Sequence, residues 1–257
     1  MNQTRSMHRI GAIIQARSGS ARLPGKVLAD IQGKPMIVRV VEQVSHASRL
    51  DDICVATSTD PSDDALADLC RSFDIDCIRG DLQNVLKRYI DVADARGLDV
   101  IVRVTGDNPF ADPFLIDKMV DLFEKNPRLD YINNAHREGS VMGSGGELVT
   151  RTALKIAMEH AMREEDPSPY LEHVTFFIRL NTGLFRTKKF LPEKKLSRTD
   201  ISYSVDHPED LALVREIFAE LYRPGEPFRT TDILDFLDKN PQIRDINRHL
   251  HDGLPDY

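Results

Sequence analysis

The composition of the chain indicates a globular protein built as one large domain. It has 257 residues, of which 41% are hydrophobic and 29% are charged, and this length allows a single domain over 1–257 with a substantial core. The formal net charge of −7 argues against nucleic-acid binding as the main activity, because duplex binding depends on a basic surface.

The apolar runs are too short for a membrane span or a secretory signal. The first ten residues, MNQTRSMHRI, lead into a short apolar run, and no segment reaches about 18 consecutive apolar residues. Cys54, Cys70 and Cys77 lack C-x-x-C spacing, and two of them lie in apolar patterns. We therefore expect a cytoplasmic protein with buried free thiols, rather than zinc ligands or disulfides.

Short β-rich runs alternate with helical patterns through the first half of the chain. Two of the helical patterns follow Asp60-Pro61 and Asp112-Pro113, pairs that are typical of an N-cap followed by proline in the first turn. The alternation favours a doubly wound α/β fold with a mostly parallel sheet covered on both faces. The predicted strands are 9–16, 53–57, 76–79 and 100–104, and the helical patterns are 66–73, 85–93 and 115–123.

The pattern is less regular after Leu129. Residues 141–146, VMGSGG, are too rich in glycine for a stable element, and 135–195 is the candidate insertion or subdomain. The other elements predicted here are strands at 131–133 and 201–205, and helices at 152–163, 168–180, 208–222 and 231–238, the last of the chain.

A loop rich in glycine and cations, ARSGSARLPGK at residues 16–26, follows the first predicted strand. Ligands of open α/β sheets bind beyond the carboxyl ends of the strands, where glycines and serines let backbone N–H groups approach an anion. Arg17, Arg22 and Lys26 add charge, and a guanidinium can bind phosphate through two hydrogen bonds. The loop therefore indicates a polyphosphate site, the alternative being an ordinary basic surface turn.

Two common nucleotide motifs do not describe this loop. The Walker pattern needs Ser or Thr after its lysine, whereas Val27 follows Lys26. The dinucleotide pattern GxGxxG is absent, because Gly19 and Gly25 lie too far apart.

The loop, continued by VLADIQGKPMIV through residue 38, closely resembles the cytidylyltransferases that make CMP-activated sugar acids. The nearest likenesses are the 3-deoxy-manno-octulosonate cytidylyltransferases and the spore-coat polysaccharide proteins of that superfamily, with acylneuraminate cytidylyltransferases more distant. The resemblance implies a fold of the nucleotide-diphospho-sugar transferase type, with main-chain N–H groups and side chains of the loop on the CTP phosphates. The nucleotide site is assigned here to Ala16, Arg17, Gly19, Ser20, Arg22 and Lys26.

Two aspartates follow predicted strands at distant points of the chain. Asp107 in VRVTGDNP and Asp206 in SYSVDHPEDL would reach the sheet edge that carries the loop. Mg²⁺ prefers oxygen ligands and usually bridges one or two carboxylates to substrate phosphates, so the pair fits one ion beside a triphosphate. Each aspartate has an alternative interpretation as a signal for a helix N-terminus. The resemblance implies metal-binding aspartates at both positions.

A third strand end carries Arg79, Asp81 and Asn84, in the string RGDLQN. The resemblance implies that this region lies beside the base and ribose of the nucleotide. The string departs from the Gly-Thr-Glu-Arg of the octulosonate enzymes and is more similar to the spore-coat branch. The alternative is a cap for the next helix.

Four further residues are candidates for binding the acceptor: Arg103, Asn108, Glu147 and His173. An arginine within a strand needs a partner or a ligand, so Arg103 fits either an anionic acceptor or a structural ion pair. Glu172-His173 lies on a helical pattern and is similar to a string of the spore-coat branch, but a histidine there also fits a structural hydrogen bond.

The sequence therefore predicts an Mg²⁺-dependent cytidylyltransferase that transfers CMP from CTP to a sugar acid or similar anionic acceptor, releasing pyrophosphate. Arg22 and Lys26 would hold the phosphates as charge develops on the leaving group, with Asp107 as the third catalytic residue and no general base assigned. The alternatives are transfer from another nucleotide or to a sugar phosphate or phosphonate, and a non-catalytic nucleotide-binding subunit of a glycan assembly system. By resemblance we expect a homodimer with its contact in 135–195.

Overall fold

The computed structural model describes residues 8–134 and 141–251. Its strands in chain order are β1 (Ile10–Gln15), β2 (Asp30–Ile31), β3 (Lys34–Pro35), β4 (Asp52–Ser58), β5 (Cys77–Gly80), β6 (Val100–Thr105), β7 (Tyr131–Asn134), β8 (Glu147–Thr150) and β9 (Thr187–Phe190). Within the described residues, seven strands form one sheet in the order β5-β4-β1-β6-β8-β7-β9, and β2 and β3 form a separate hairpin. The sheet is parallel except for β8, which runs antiparallel to both of its neighbours.

Helices cover both faces of this sheet. They are α1 (Met36–Val44), α2 (Asp64–Ser72), α3 (Val85–Arg96), α4 (Pro113–Glu124), α5 (Arg151–Ala161), α6 (Ser168–Glu172), α7 (Phe176–Leu180), α8 (Pro208–Leu221), α9 (Thr230–Lys239), α10 (Pro241–Arg244) and α11 (Arg248–His251). Along β1, Ala12 and Ile14 pack into a core with α1, α4 and α8, whereas Ile13 packs into a second core with α3 and α5. The doubly wound α/β fold predicted from the sequence is therefore confirmed.

The two Asp-Pro pairs begin their helices differently. Asp112 accepts hydrogen bonds from the backbone N–H of Phe114 and Leu115, which makes it the N-cap of α4, as predicted. Asp60 caps a single 3₁₀ turn, Pro61–Asp63, through a 2.9 Å bond from the N–H of Ser62. The α-helical part, α2, begins at Asp64.

The predicted strand at 201–205 is wrong. This segment makes one isolated bridge, between Ser202 and Met142, and a 2.8 Å bond from Tyr203 N to the Met142 carbonyl. The alternation of its side chains satisfies a strand pattern, but β8 occupies the place beside β6 in the sheet. The segment runs past the sheet rather than within it.

The predicted helix at 168–180 is two short helices. The chain leaves the helical conformation at His173, and Thr175, which precedes α7, donates from its hydroxyl to Glu147 Oε2 at 2.9 Å. The break thus coincides with a contact between this segment and β8. The prediction that 231–238 is the last helix is also wrong, because α10 and α11 follow α9.

Several elements were not predicted from the sequence patterns: α1, β8, β9 and the β2–β3 hairpin. Of the candidate insertion at 135–195, residues 135–140 lie outside the described residues, and the remainder contributes β8 and β9 to the main sheet. Its part in a dimer contact stays a prediction. Among the described residues, no helix combines the length and apolar character that crossing a bilayer requires.

The three cysteines are free thiols, as predicted. Cys54 and Cys70 are buried, and Cys77 is half-buried. Burial raises the pKa of the Cys54 thiol to about 12, so this group is neutral at physiological pH.

Candidate active site

A cavity of about 410 Å³ opens at the carboxyl edge of the sheet. The end of β1, the loop at 16–26, the turn after β6 and Asp206 surround it. Its lining residues are Gln15, Ala16, Arg17, Gly19, Ser20, Ala21, Arg22, Lys26, Val27, Thr105, Gly106, Asp107 and Asp206. The structure thus brings the predicted phosphate loop and both predicted metal-binding aspartates to one place.

The loop is held in shape by hydrogen bonds of its own backbone. The N–H groups of Ser20 and Gly25 both donate to the Ser18 carbonyl at 3.0 Å, and Gly25 has a φ of +70°, which a glycine adopts without strain. Gly19 has open space around its Cα, so nothing in the described residues separates it from the cavity. The loop is preorganised for a ligand that approaches its backbone closely.

Asp63 supports this loop from below. Its side chain is 1% exposed, accepts a 2.6 Å bond from the Ser18 N–H through Oδ1, and accepts another from the Ser58 hydroxyl. The hydroxyl of Ser18 is itself buried and makes no hydrogen bond to the described residues. A buried carboxylate therefore anchors the first turn of the loop to the end of β4.

Lys26 lies at the floor of the cavity and is 9% exposed. Its Nζ donates to Asp107 Oδ2 at 2.6 Å and to Asp206 Oδ1 at 2.8 Å. It also donates to the Val205 carbonyl at 2.7 Å, which satisfies its third hydrogen. Arg22 Nη2 approaches Asp206 Oδ1 from the solvent side at 2.9 Å. Two cations and two carboxylates therefore form one compact network.

The network shifts the ionisation of its members in the expected directions. Burial by itself would lower the pKa of Lys26, but the charges and hydrogen bonds of Asp107 and Asp206 outweigh it and raise that pKa. Burial would raise the pKa of Asp206, but Lys26 and Arg22 outweigh it and lower that pKa. Both groups are charged at neutral pH.

Gly106 lets the turn after β6 lie directly against β1. Its N–H donates to the Gln15 carbonyl at 2.7 Å, and a Cβ at this position would stand 2.9 Å from Ala16 Cβ. Any side chain would push the turn away from the loop. The glycine of Thr-Gly-Asp thus decides how deeply Asp107 sits in the cavity.

The donor set around the cavity fits a magnesium ion. Asp107 Oδ1 and Asp206 Oδ2 accept no hydrogen bond from the described residues, so each carboxylate retains one unused oxygen beside the cavity. No group of three or more His, Cys, Asp or Glu side chains capable of holding a metal occurs in the described residues. Mg²⁺ needs no such cage, since it usually takes one or two carboxylates together with phosphate oxygens and water.

Arg17 extends the positive rim of the cavity. Its guanidinium is half exposed and lies 3.8 Å from Glu172, an equally exposed carboxylate at the end of α6. A pair of this kind is weakened by solvent and constrains the Arg17 side chain only weakly.

The structure does not place Arg79, Asp81 and Asn84 in the cavity lining. Arg79 donates to the Ser58 carbonyl at 2.7 Å and pairs with Asp64. Asp81 accepts from the N–H of Asn84 at 2.7 Å, and Asn84 caps α3. In this structure the three side chains fix the backbone around β5, and their contact with a nucleotide stays a prediction.

Arg103 and Glu147 face each other on adjacent strands and form an ion pair of 2.9 Å. Glu147 also accepts hydrogen bonds from the hydroxyls of Tyr131 and Thr175. Burial would lower the pKa of Arg103, but the neighbouring Glu147 outweighs it and raises that pKa. Arg103 thus forms the structural ion pair that was one of its two interpretations from the sequence. Its role in binding an acceptor stays a prediction.

The other two acceptor candidates have different surroundings. Asn108 donates through Nδ2 to the Thr105 hydroxyl at 2.8 Å, while its Oδ1 is buried and has no partner among the described residues. His173 is exposed, lies after the end of α6 and contacts the ring of Phe176. Asn108 is therefore the candidate with an unused polar atom next to Asp107.

Three contributors to the site were not found from the sequence: Asp63, Gly106 and the Val205 carbonyl. Asp63 lies just after the predicted helix start at Asp60-Pro61, but its partner Ser18 is 45 residues away in the chain. Gly106 was noticed only as the residue before Asp107, with no role of its own. A backbone carbonyl has no sequence signal at all.

Comparison with known proteins yields one family. Residues 11–233 match a family model described as Cytidylyltransferase. An uncharacterised protein of Methanocaldococcus jannaschii is 36% identical over 242 residues, which cover 94% of this chain and 96% of that protein. The spore coat polysaccharide biosynthesis protein SpsF of Bacillus subtilis is 32% identical, over 91% of this chain and 96% of its own length.

Solved structures share the fold. A cytidylyltransferase from Leptospira borgpetersenii superimposes with a TM-score of 0.84 at 24% identity, over 97% of this chain and all of that one. A CMP:2-keto-3-deoxy-manno-octonic acid synthetase, solved in complex with CTP, superimposes with a TM-score of 0.65 at 22% identity, over 83% of this chain and 100% of that one.

Proposed function

The chain belongs to the cytidylyltransferase family and is a nucleotidyltransferase, and we propose that it transfers CMP from CTP to an anionic sugar acid in surface-polysaccharide biosynthesis. The relative from Bacillus subtilis is named for spore coat polysaccharide biosynthesis. The structural neighbour bound to CTP is named for a keto-deoxy sugar acid. These names support CTP as donor and a sugar acid as acceptor.

The observation that carries the proposal is the position of Lys26 between Asp107 and Asp206 on the cavity floor. A lone cationic loop fits any polyphosphate. A cationic loop that faces two carboxylates with unused oxygens fits a triphosphate and its divalent ion together. Nucleotidyl transfer, the activity of the family that the chain belongs to, uses both.

In the proposed reaction, the backbone of the loop and Arg22 hold the β- and γ-phosphates. The hydroxyl oxygen of the acceptor bonds to the α-phosphorus and gives up its proton to solvent water, as the bond from that phosphorus to the bridging oxygen breaks and pyrophosphate leaves. Lys26 and Arg22 neutralise the charge that develops on the leaving oxygens. Positioning and electrostatic stabilisation supply most of the catalysis in phosphoryl transfer, so the protein needs no covalent intermediate.

Asp107 and Asp206 would hold Mg²⁺ through their unused oxygens. A bound Mg²⁺ would supply Lewis-acid polarisation of the phosphate oxygens. Arg22 has to leave Asp206 to reach a phosphate, and this exposed pair is weak enough to break. Lys26 is buried and stays near both carboxylates.

Asn108 is our candidate for contact with the acceptor. Its Oδ1 is buried and has no partner among the described residues. Asn108 follows Asp107 in the chain but does not line the cavity, so contact with an acceptor hydroxyl would require this side chain to turn toward the cavity. Arg103 keeps Glu147 as its partner in this proposal, which leaves the acceptor's carboxylate to other cations of the rim.

Pyrophosphate release over a panel of nucleotides and acceptors tests the function. We expect release with CTP and a 3-deoxy-2-keto sugar acid, in Mg²⁺ and not in EDTA. If pyrophosphate were released only with a sugar phosphate or a phosphonate, the proposed acceptor class would be wrong. If it were released only with another nucleotide, the proposed donor CTP would be wrong. Binding of CTP without release for any acceptor would contradict catalysis.

A further inference from the structure

The segment that carries Asp206 is unusual because no sheet ladder holds it. Residues 201–207 make a single bridge to Met142, and Val205 N donates to the Asp107 carbonyl at 2.9 Å. A strand end is normally fixed by hydrogen bonds to neighbours on both sides. The position of Asp206 must therefore depend on contacts from outside the sheet.

Asp210 in the first turn of α8 supplies one such contact. Its carboxylate is 1% exposed, and Oδ2 accepts from the N–H of Asp206 at 2.9 Å and from the N–H of His207 at 2.8 Å. Two bonds to one oxygen fix the backbone of both residues. The backbone that carries the Asp206 carboxylate is thereby fixed beside the cavity.

The other oxygen of Asp210 is held by the C-terminal helices. Oδ1 accepts from Asn247 Nδ2 at 2.8 Å and from His251 Nε2 at 2.8 Å. Asn247 is 3% exposed and also donates to the Ser202 carbonyl at 3.2 Å, so it contacts the start of the segment at 201–207 directly and its end through Asp210. These two side chains complete the four hydrogen bonds around a buried carboxylate.

Asn247 and His251, which hold Asp210, lie beyond the part of the chain that matches the family model, since that match ends at residue 233. We propose that residues 241–251, here called the C-terminal brace, position Asp206 for catalysis by holding Asp210 through Asn247 and His251. The brace is a positioning element, since none of its side chains lines the cavity. Its catalytic consequence rests on the proposed function, whereas its effect on the backbone of Asp206 does not.

Amide hydrogen exchange tests the brace without any assumption about the reaction. Asn247→Ala removes the bonds to Asp210 and Ser202 and leaves the Asp210 carboxylate less well held. Exchange of the Asp206 and His207 amides should become roughly 10-fold faster or more. The matched control is Asn240→Ala, which removes a 2.9 Å side-chain bond to the Phe236 carbonyl in the same part of the chain. The control should leave both amides unchanged.

Metal binding and kinetics test the consequence. Mn²⁺ titration in the presence of CTP should show about 10-fold weaker binding for Asn247→Ala, and kcat should fall by a similar factor, because groups behind a metal ligand have effects of this size. The Asn240→Ala control should match the wild-type protein in both. His251→Gln keeps an N–H donor and should retain wild-type metal affinity, whereas His251→Ala should resemble Asn247→Ala.

Unchanged amide exchange at Asp206 and His207 in both Asn247→Ala and His251→Ala would overturn the brace. Equal losses of metal affinity in Asn247→Ala and Asn240→Ala would overturn it too, since a general loss of stability would then explain the effect. A wild-type protein that neither binds Mn²⁺ nor releases pyrophosphate would contradict the proposed function. The amide exchange would still decide for or against the brace.

Discussion

The ammonium group of Lys26 lies 2.6 Å from Oδ2 of Asp107, although 81 residues separate the two in the chain. The bond joins the last residue of the cationic loop to the turn after the central strand β6. Lys26 and Asp107 therefore meet at the cavity floor, and Asp206 binds the same ammonium group from a third segment of the chain. Removal of Lys26 would leave Asp107 without its cation and Asp206 with Arg22 alone, and the consequences are measurable.

Replacement of Lys26 by Met should impair both catalysis and stability. The loss of a group that neutralises charge in the transition state costs on the order of 10²-fold or more in kcat. Without the ammonium, Asp107 and Asp206 repel each other, so the melting temperature should fall. Mg²⁺ should raise the melting temperature of Lys26→Met by more than it raises that of the wild-type protein.

The control for this prediction is Lys87→Met, which removes an exposed helical pair with Asp91. Its melting temperature should stay near that of the wild-type protein and should not respond to Mg²⁺ differently. If Lys26→Met retained near-normal turnover, its place in the transition state would be refuted.

The contribution of Asp206 to stability should depend on pH in one direction. Its folded pKa lies below the ordinary 3.8, so the stabilisation is present above that value and disappears as pH falls through the folded pKa. The pKa of Lys26 is raised above 10.5, so its stabilisation is complete below 10.5 and is lost only as pH rises through the folded pKa.

Urea unfolding over a pH series measures this. The free-energy difference between the wild-type protein and Asp206→Asn should stay constant from about pH 5 to about pH 9 and shrink toward more acidic pH. Asp68→Asn, at an exposed pair with Arg71, should show almost no difference at any pH. A difference that changed between pH 6 and pH 8 would mean that another group carries the effect.

Arg103 and Glu147 should behave as a coupled pair in a double-mutant cycle. Arg103→Met removes the cation that lies 2.9 Å from a buried carboxylate, and Glu147→Gln removes the charge beside a buried guanidinium, so each should cost on the order of 3 kcal/mol of unfolding free energy. The double variant should lose clearly less than the sum of the two.

Kinetics separate this structural role from acceptor binding. If Arg103 serves the fold alone, Arg103→Met should lose stability with little change in the KM for the acceptor. Additive losses in the cycle together with a large rise in that KM would favour the other interpretation, in which Arg103 binds the acceptor's anion.

Asp63→Ala should weaken nucleotide binding although Asp63 does not line the cavity. The Ser18 N–H loses its partner, and the first turn of the loop becomes free to move, so the KM for CTP should rise roughly 10-fold. Asp60→Ala is the control in the same turn, because its exposed side chain caps only the local 3₁₀ turn. Equal KM values for the two variants would show that the loop does not need Asp63.

The local features of the site could be read from the sequence. The strand before the loop, the cap at Asp112 and the acidic residue after β6 depend on contacts between near neighbours. Periodicity and turn chemistry describe such contacts well. The cationic loop was recognised for the same reason, since its glycines and cations lie within eleven residues of one another.

The strand predicted at 201–205 shows where this approach fails. Its alternating pattern is real, but whether it joins the sheet depends on β8, a four-residue strand that takes the neighbouring place. Arg79 depends on the fold in a similar way, because its guanidinium bonds to the Ser58 carbonyl, 21 residues earlier. Its contact with a nucleotide stays a prediction.

By itself, the sequence determined the alternation of strands and helices, and it identified the cationic loop and the two aspartates as candidate site residues, because each is a short-range pattern of residue types. Only the tertiary structure decided that Lys26 lies between Asp107 and Asp206, that Asp63 supports the loop and that residues 241–251 hold Asp210. These contacts join segments from opposite ends of the chain. They exist because burial brings the segments together, and a buried charge must then find its partner wherever the chain path places one.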